Sequence, residues 1–318
     1  DGSPPSAGRE TRGYGNARPG VHRRRRRCIT VKNRTVAGPV RQPSRMNRIL
    51  MPFLQANDIV LHYEATGSGE PLLFIHGLGS SGRDWQPQID LFSRNYQVSV
   101  FDIRGHGHSS HPPGPYSMKL FAADTAALIQ VLSAAPVHVV GLSLGGMIAF
   151  QLAVDHPQLL KSMVIVNAGP EFVPRTFKEY RIAFLHFAVV HFFGMRKMGE
   201  ILARQLFPKT EHAAIRETFV ERWAENDRKA YEQSMRAILG WSVANRIERI
   251  QIPTLVVASD HDYTPVSLKE AFVARMPRAE LAVIADAHHA VPVERQEEFN
   301  AVVTPFLEQV SEGSNLSS

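Results

Sequence analysis

The chain has 318 residues, 44% hydrophobic and 21% charged, a globular composition that excludes a fibrous or wholly disordered protein. Its formal net charge of +6 is unevenly held: residues 1–50 carry 13 Lys/Arg against 2 Asp/Glu, a net +11, which leaves 23 against 28, a net −5, for residues 51–318. The globular part therefore gives a nucleic acid no basic surface, and because the single cysteine, Cys28, lies outside it, disulfides, thiol nucleophiles and thiolate metal sites are excluded there.

Residues 1–50 are rich in Pro, Gly, Ser and Arg, include the run Arg23 to Arg27, and show no apolar periodicity with which to bury a core. They read as a disordered extension. A secretory signal needs an apolar stretch of about 7 to 15 residues, and "CITVKNRTVAGPV" is broken by charge and Gly-Pro. A transit peptide or a nucleic-acid-binding arm would fit the arginines. Met46 and Met51 stand just before the globular pattern begins, which favours upstream sequence translated ahead of the true start. Removing residues 1–50 is expected to leave intact any activity the globular part has, checked on the soluble truncated protein.

From about residue 53 short β-branched runs alternate with longer amphipathic stretches. "DIVLHYEATG", "PLLFIHG", "YQVSVFD" and "PVHVVG" read as strands, with helices at roughly 84–93 and 117–134. There follow a helix over 145–156, the strands "LKSMVIVN" and "PTLVVAS", a helix over 266–275, the strand "ELAVIAD" and a helix over 294–310. Several strand runs are almost continuously apolar, as strands covered on both faces are, so an α/β fold with a mostly parallel sheet is expected. Between Ala168 and Ile250 no strand is expected, only helical stretches rich in aromatic residues, among them Phe177, Tyr180, Phe184, Phe192 and Trp223. Some eighty residues exceed a crossover connection and predict a helical insertion, most of its rings packed inside. The domain division is thus an extension over 1–50, a core over 51–169 and 251–310, a helical cap over 170–250 and a flexible tail over 311–318. The longest apolar stretch, "AFLHFAVVHFFGM", falls short of the about 20 residues of a membrane span. A soluble, cytoplasmic protein with no membrane or nucleic-acid partner is expected.

Ser143 sits in "GLSLG", after an apolar strand and before a helical pattern. A nucleophile displayed on a sharp strand-to-helix turn leaves no room for side chains two residues to either side, and Gly141 and Gly145 remove them. A serine hydroxyl needs a base to take its proton and an acid to orient that base. "DHDYTP" places Asp260 and Asp262, and "AHHAVP" places His288 and His289, at the carboxyl ends of two later strands, the sheet edge where such sites assemble. "FIHGLGSSGRDW" supplies a glycine-rich turn after a strand, where the amides of Leu78 and Leu144 would form an oxyanion hole.

Together "HGLG", "DIRGHGHS", "GLSLGG", "IPTLVVASDHD" and "HAVP", in this order and spacing, resemble the α/β-hydrolase family over essentially all of residues 53–310. The resemblance implies a mostly parallel eight-stranded sheet, a helical cap after the sixth strand and no cofactor; no metal site is expected either. It implies Ser143 as nucleophile, His289 as general base, Asp262 as its orienting acid and Leu78 with Leu144 as oxyanion amides. The chain departs from the family pattern at His288, where a small residue is usual, and at Ser259, where glycine is usual. Proline follows Asp262 one residue early, which keeps Asp260 as an alternative acid.

The cluster His106, His108 and His111 invites a metal reading, but the segment resembles the family's glycine turn. His76 is expected to bond within its loop, Asp102 to hold a turn, and His186, His191 and His212 to face solvent or be satisfied locally. The expected function is serine hydrolysis of carboxylic esters, lactones or enol-lactones included, on a small-molecule substrate through an acyl-enzyme. The alternatives are a carbon-carbon bond hydrolase or cofactor-free peroxidase-like enzyme of the same fold, and a non-catalytic ligand-binding protein. "GLGSSG" lacks the proline that carbon-carbon hydrolases usually carry in this loop.

Overall fold

The computed structural model describes residues 2, 53–132 and 136–315. Apart from Gly2, residues 1–50, expected to form a disordered extension, lie outside the described residues. A single eight-stranded sheet forms the centre. Its first part holds β1 (Phe53–Ala56), β2 (Ile59–Thr66) and β3 (Glu70–Ile75), then α1 (Gln86–Phe92), β4 (Tyr96–Phe101), α2 (Met118–Leu132), β5 (Val137–Leu142), α3 (Leu144–Asp155) and β6 (Leu160–Val166). The insertion follows as β7 (Glu171–Phe172), α4 (Phe177–Leu206), α5 (Ala213–Ala224), α6 (Arg228–Ile238) and β8 (Trp241–Ser242). The core resumes with β9 (Thr254–Ser259), α7 (Val266–Val273), β10 (Ala279–Ile284), α8 (Val291–Glu294) and α9 (Gln296–Asn315).

The strand order is β1-β2-β4-β3-β5-β6-β9-β10. Only the β1–β2 and β2–β4 pairings are antiparallel; the other five are parallel. The near-continuous apolar strands are explained by burial on both faces. Leu73, Ile75, Val139, Ile165 and Val256 pack with α2 and α3 on one side. Leu72, Phe74, Val140, Val164 and Val257 pack with α1 and α9 on the other. Alternate residues thus serve opposite cores, as the period-two geometry of a strand requires.

Three features depart from the sequence reading. The residues that flank the insertion pair as a short antiparallel ribbon, Glu171 with Ser242 and Phe172 with Trp241, which brings its entry and exit together. Two-residue strands leave no periodicity to read. The aromatic residues of α4 are mostly not core: Phe177 is 84% exposed, Phe184 70% and Phe192 76%. One face of α4, with Val190, Met195 and Met198, packs against Trp223, Tyr231 and Met235 of α5 and α6, while Phe177, Tyr180 and Phe184 of its first half are exposed. The helix is interrupted at Gly194, whose φ of 78° and ψ of 179° are not helical. Finally, α9 continues to Asn315, past residue 310, where the hydroxyl of Ser311 donates to Glu70 Oε2 at 2.7 Å and ties the C-terminal helix to the start of β3.

Among the described residues no helix is long and apolar enough to cross a membrane.

Candidate active site

The chain turns sharply at Ser143, between β5 and α3, with φ 54° and ψ −112°. A residue with a side chain pays for such a backbone in steric strain, and it persists only where the surroundings hold it. Here the Ser143 amide donates to Val166 O at 2.9 Å, and its carbonyl accepts from the Met147 amide at 3.0 Å, so β6 and the first turn of α3 fix it from both sides. A Cβ on Gly141 would overlap the Gly145 carbonyl, and one on Gly145 would overlap the Ile75 carbonyl. Both glycines are sterically required. Ser143 is half-buried, and among the described residues its hydroxyl makes no hydrogen bond.

The loop after β3 lies against this turn: a Cβ on Gly77 would stand 3.6 Å from the Ser143 Cβ. His76 braces the loop. Its Nε2 accepts from the Ile103 amide at 2.9 Å, which leaves Nδ1 to donate to Gly77 O at 2.7 Å. Burial pushes the imidazole pKa down, which keeps this bridging tautomer neutral. Among the described residues the Leu78 amide donates to no protein acceptor, and the Leu144 amide heads α3, where a helix has no internal acceptor for it. From the cap, Asn226 Nδ2 donates to Gly79 O at 2.9 Å, and Arg222 pairs with Asp84 at 2.6 Å.

Past the carboxyl ends of β9 and β10, at the same edge of the sheet as the Ser143 turn, Asp262 Oδ1 lies 2.5 Å from His289 Nδ1. The carboxylate is 1% exposed, and its Oδ2 accepts from Thr264 Oγ1 at 2.8 Å and from the ammonium of Lys269. Burial would raise the Asp262 carboxyl, but the His289 hydrogen bond and the Lys269 charge outweigh it and hold the group well below the usual carboxylate range. The Tyr263 ring lies 4.5 Å from the His289 ring, centroid to centroid. Asp260 is occupied elsewhere, accepting from the Asp286 and Ala287 amides at 3.0 and 3.1 Å. His288 faces Glu294, with Nδ1 2.8 Å from Oε1. The structure therefore pairs Asp262 with His289 and gives Asp260 and His288 other partners.

Asn167, at the end of β6, joins these parts. Its Nδ2 donates to Ser259 Oγ at 2.8 Å and to His289 O at 2.9 Å, and its Oδ1 accepts from the Ser259 amide at 2.9 Å. The serine at position 259 thus has a partner that glycine would not offer. Asn167→Ala would strand the Ser259 amide and the His289 carbonyl. It is expected to cost about 1–3 kcal/mol of stability, read from the denaturant midpoint, with a parallel loss of kcat as the histidine loop loosens.

The remaining sequence candidates do not converge. His106 is buried, with Nδ1 3.1 Å from Arg104 O, and burial brings its pKa down to about 3. Asp102 accepts from the Gly82 and His108 amides at 2.8 and 2.9 Å, as a turn residue does. His62, Asp102 and His108 bring ligand atoms within 4.8 Å of one another, and His62 Nδ1 lies 3.2 Å from Asp102 Oδ2, an ion pair within the turn. His186 is satisfied within the cap, its Nε2 2.7 Å from the hydroxyl of buried Tyr231. Sequence reasoning missed Asn167, Tyr263 and Lys269. Tyr263 stands in "DHDYTP", where the sequence singles out only the two aspartates, and Asn167 and Lys269 lie in no motif; each matters through a contact distant in sequence or across a turn.

The alpha/beta hydrolase fold family matches residues 70–296. A putative carbamate hydrolase RutD of Stutzerimonas stutzeri is 28% identical over 262 residues, which span 78% of this chain and 96% of the relative. An N-acyl homoserine lactone degrading enzyme of known structure, Est816, superposes with a TM-score of 0.69 at 29% identity, covering 80% of this chain and all of that one. The enol-lactonase of Burkholderia xenovorans LB400 superposes with a TM-score of 0.75 at 23% identity, covering 81% of this chain and 100% of its own.

Proposed function

Because the chain belongs to the alpha/beta hydrolase fold family, we propose that it cleaves carboxylic esters, lactones among them, through an acyl-enzyme formed on Ser143. The observation that carries this reading is the Asp262–His289 hydrogen bond at the sheet edge where the strained Ser143 turn stands. Asp262 holds Nδ1 of the imidazole, so Nε2 is the nitrogen left to take the serine proton. Ser143 Oγ then attacks the carbonyl carbon, and the negative charge passes to an oxygen held by the Leu78 and Leu144 amides. Collapse of the tetrahedral intermediate expels the alcohol, which takes its proton from His289. Water, deprotonated by His289, releases the acid and restores the serine. A lactone follows the same course, except that alcohol and acid leave as one molecule.

Support for a lactone comes from the activity named for Est816, at 29% identity. A second reading, carbamate cleavage, draws on the RutD relative at 28% identity. Initial rates on nitrophenyl esters of increasing acyl length, N-acyl homoserine lactones and a simple carbamate separate the two. Turnover of esters or lactones with an acyl-length optimum is expected. Turnover of the carbamate alone would replace the first reading by the second, and saturable binding without turnover of any of them would make the protein a ligand-binding member of the fold.

A further inference from the structure

Lys269 is 1% exposed and lies in α7, yet the reaction as written does not use it. Its ammonium donates to Asp262 Oδ2, to Thr264 O at 2.8 Å and to Thr264 Oγ1 at 2.6 Å, so all three donors are spent. Thr264 Oγ1 in turn donates to the same Asp262 oxygen. The carboxylate is therefore shared, with one oxygen given to His289 and the other to a cation and a hydroxyl.

Stability does not account for this cation. Burying an ammonium carries a desolvation penalty, and a buried ion pair is often replaced by apolar side chains without loss. The N-terminal half of a helix also disfavours positive charge. What the cation changes is the field at His289: a carboxylate alone stabilises the imidazolium more than one already paired with an ammonium.

We propose that Lys269 is a positioning residue of this site, fixing the Asp262 carboxylate and taking up part of its charge, so that the imidazolium of His289 is stabilised less than it would be by an unpaired carboxylate. The inference rests on the triad reading above. The other groups around His289 are Tyr263, its ring tilted against the imidazole, and the neighbouring His288, which is paired with Glu294 and has His261 stacked on its ring at 5.3 Å. Asp260 lies in the same turn, held by the Asp286 and Ala287 amides. None of these side chains hydrogen-bonds to Lys269, whose donors go to Asp262 and Thr264.

The test is an NMR pH titration of the His289 ring, assigned by its loss in His289→Gln, in the wild type, Lys269→Met and Lys269→Arg, beside the pH dependence of kcat/KM on a nitrophenyl ester. Removing the cation favours the imidazolium. In Lys269→Met both the ring midpoint and the acid limb of the rate are expected to move up by about one pH unit, and Lys269→Arg restores most of the shift. If Lys269→Met does not fold, Lys269→Gln removes the charge while keeping a donor, with the same expected shift. A ring midpoint that stays in place, even with reduced kcat, overturns the proposal and leaves Lys269 a structural tie. A shifted midpoint in a protein that turns over no ester supports the coupling and counts against the hydrolase reading alone.

Discussion

Ser143→Ala is expected to lower kcat on nitrophenyl esters by about 10⁶-fold while leaving the protein folded. Alanine must adopt the same φ of 54° and carries the same Cβ, so the backbone strain at the turn is unchanged. What is lost is the atom that, in the proposed mechanism, forms the acyl bond. The Leu78 and Leu144 amides and the binding surface remain, and they leave a small residual rate. Initial rates at matched purity, beside a thermal melt, check both halves of the expectation. A variant that kept even a tenth of the wild-type rate would remove Ser143 from the mechanism.

Asp262→Asn is expected to reduce kcat by about 10⁴-fold. The amide can still meet His289 Nδ1, but presenting its NH2 group would force the other tautomer and put the imidazole proton on the nitrogen that should face the serine. Lys269 would lose its charged partner as well, so some loss of stability should accompany the loss of rate. Asp260→Asn is the control. Its carboxylate holds the Asp286 and Ala287 amides and does not touch His289, so the main effect is on stability and kcat stays near wild type. If the two variants exchanged these outcomes, Asp260 would be the orienting acid. Steady-state kinetics and denaturant melts on both proteins distinguish the cases.

The parallel sheet was legible because its inner strands are buried on both faces and read as unbroken apolar runs. Strand β1 was not, since "FLQA" is a four-residue edge strand with mixed exposure. The Ser143 turn was legible because local sterics dictate its glycines. Which aspartate faces His289 was not settled by spacing, because Asp260 and Asp262 occupy one turn and only the path of the chain from β9 into α7 decides which carboxyl points inward. The exposed rings of α4 misled for a related reason. An aromatic residue reports a tendency to be buried, not whether another element lies over that side of its helix. Asn167 and Lys269 escaped notice altogether, because an asparagine after a strand and a lysine in a helix are ordinary until their partners, 92 and 7 residues away, are known.

The strand order also imposes a schedule on the chemistry. Ser143 leaves a central strand, whereas Asp262 and His289 follow β9 and β10, the last two strands to be made and the outermost at their edge of the sheet. A polypeptide growing on the ribosome can complete the serine turn while the insertion and both partners are still unsynthesised. Its hydroxyl is then an ordinary alcohol with no base beside it. Under the proposed mechanism, reactivity is switched on by the final quarter of the chain, so a truncated product of interrupted synthesis would carry the proposed nucleophile but not the means to activate it.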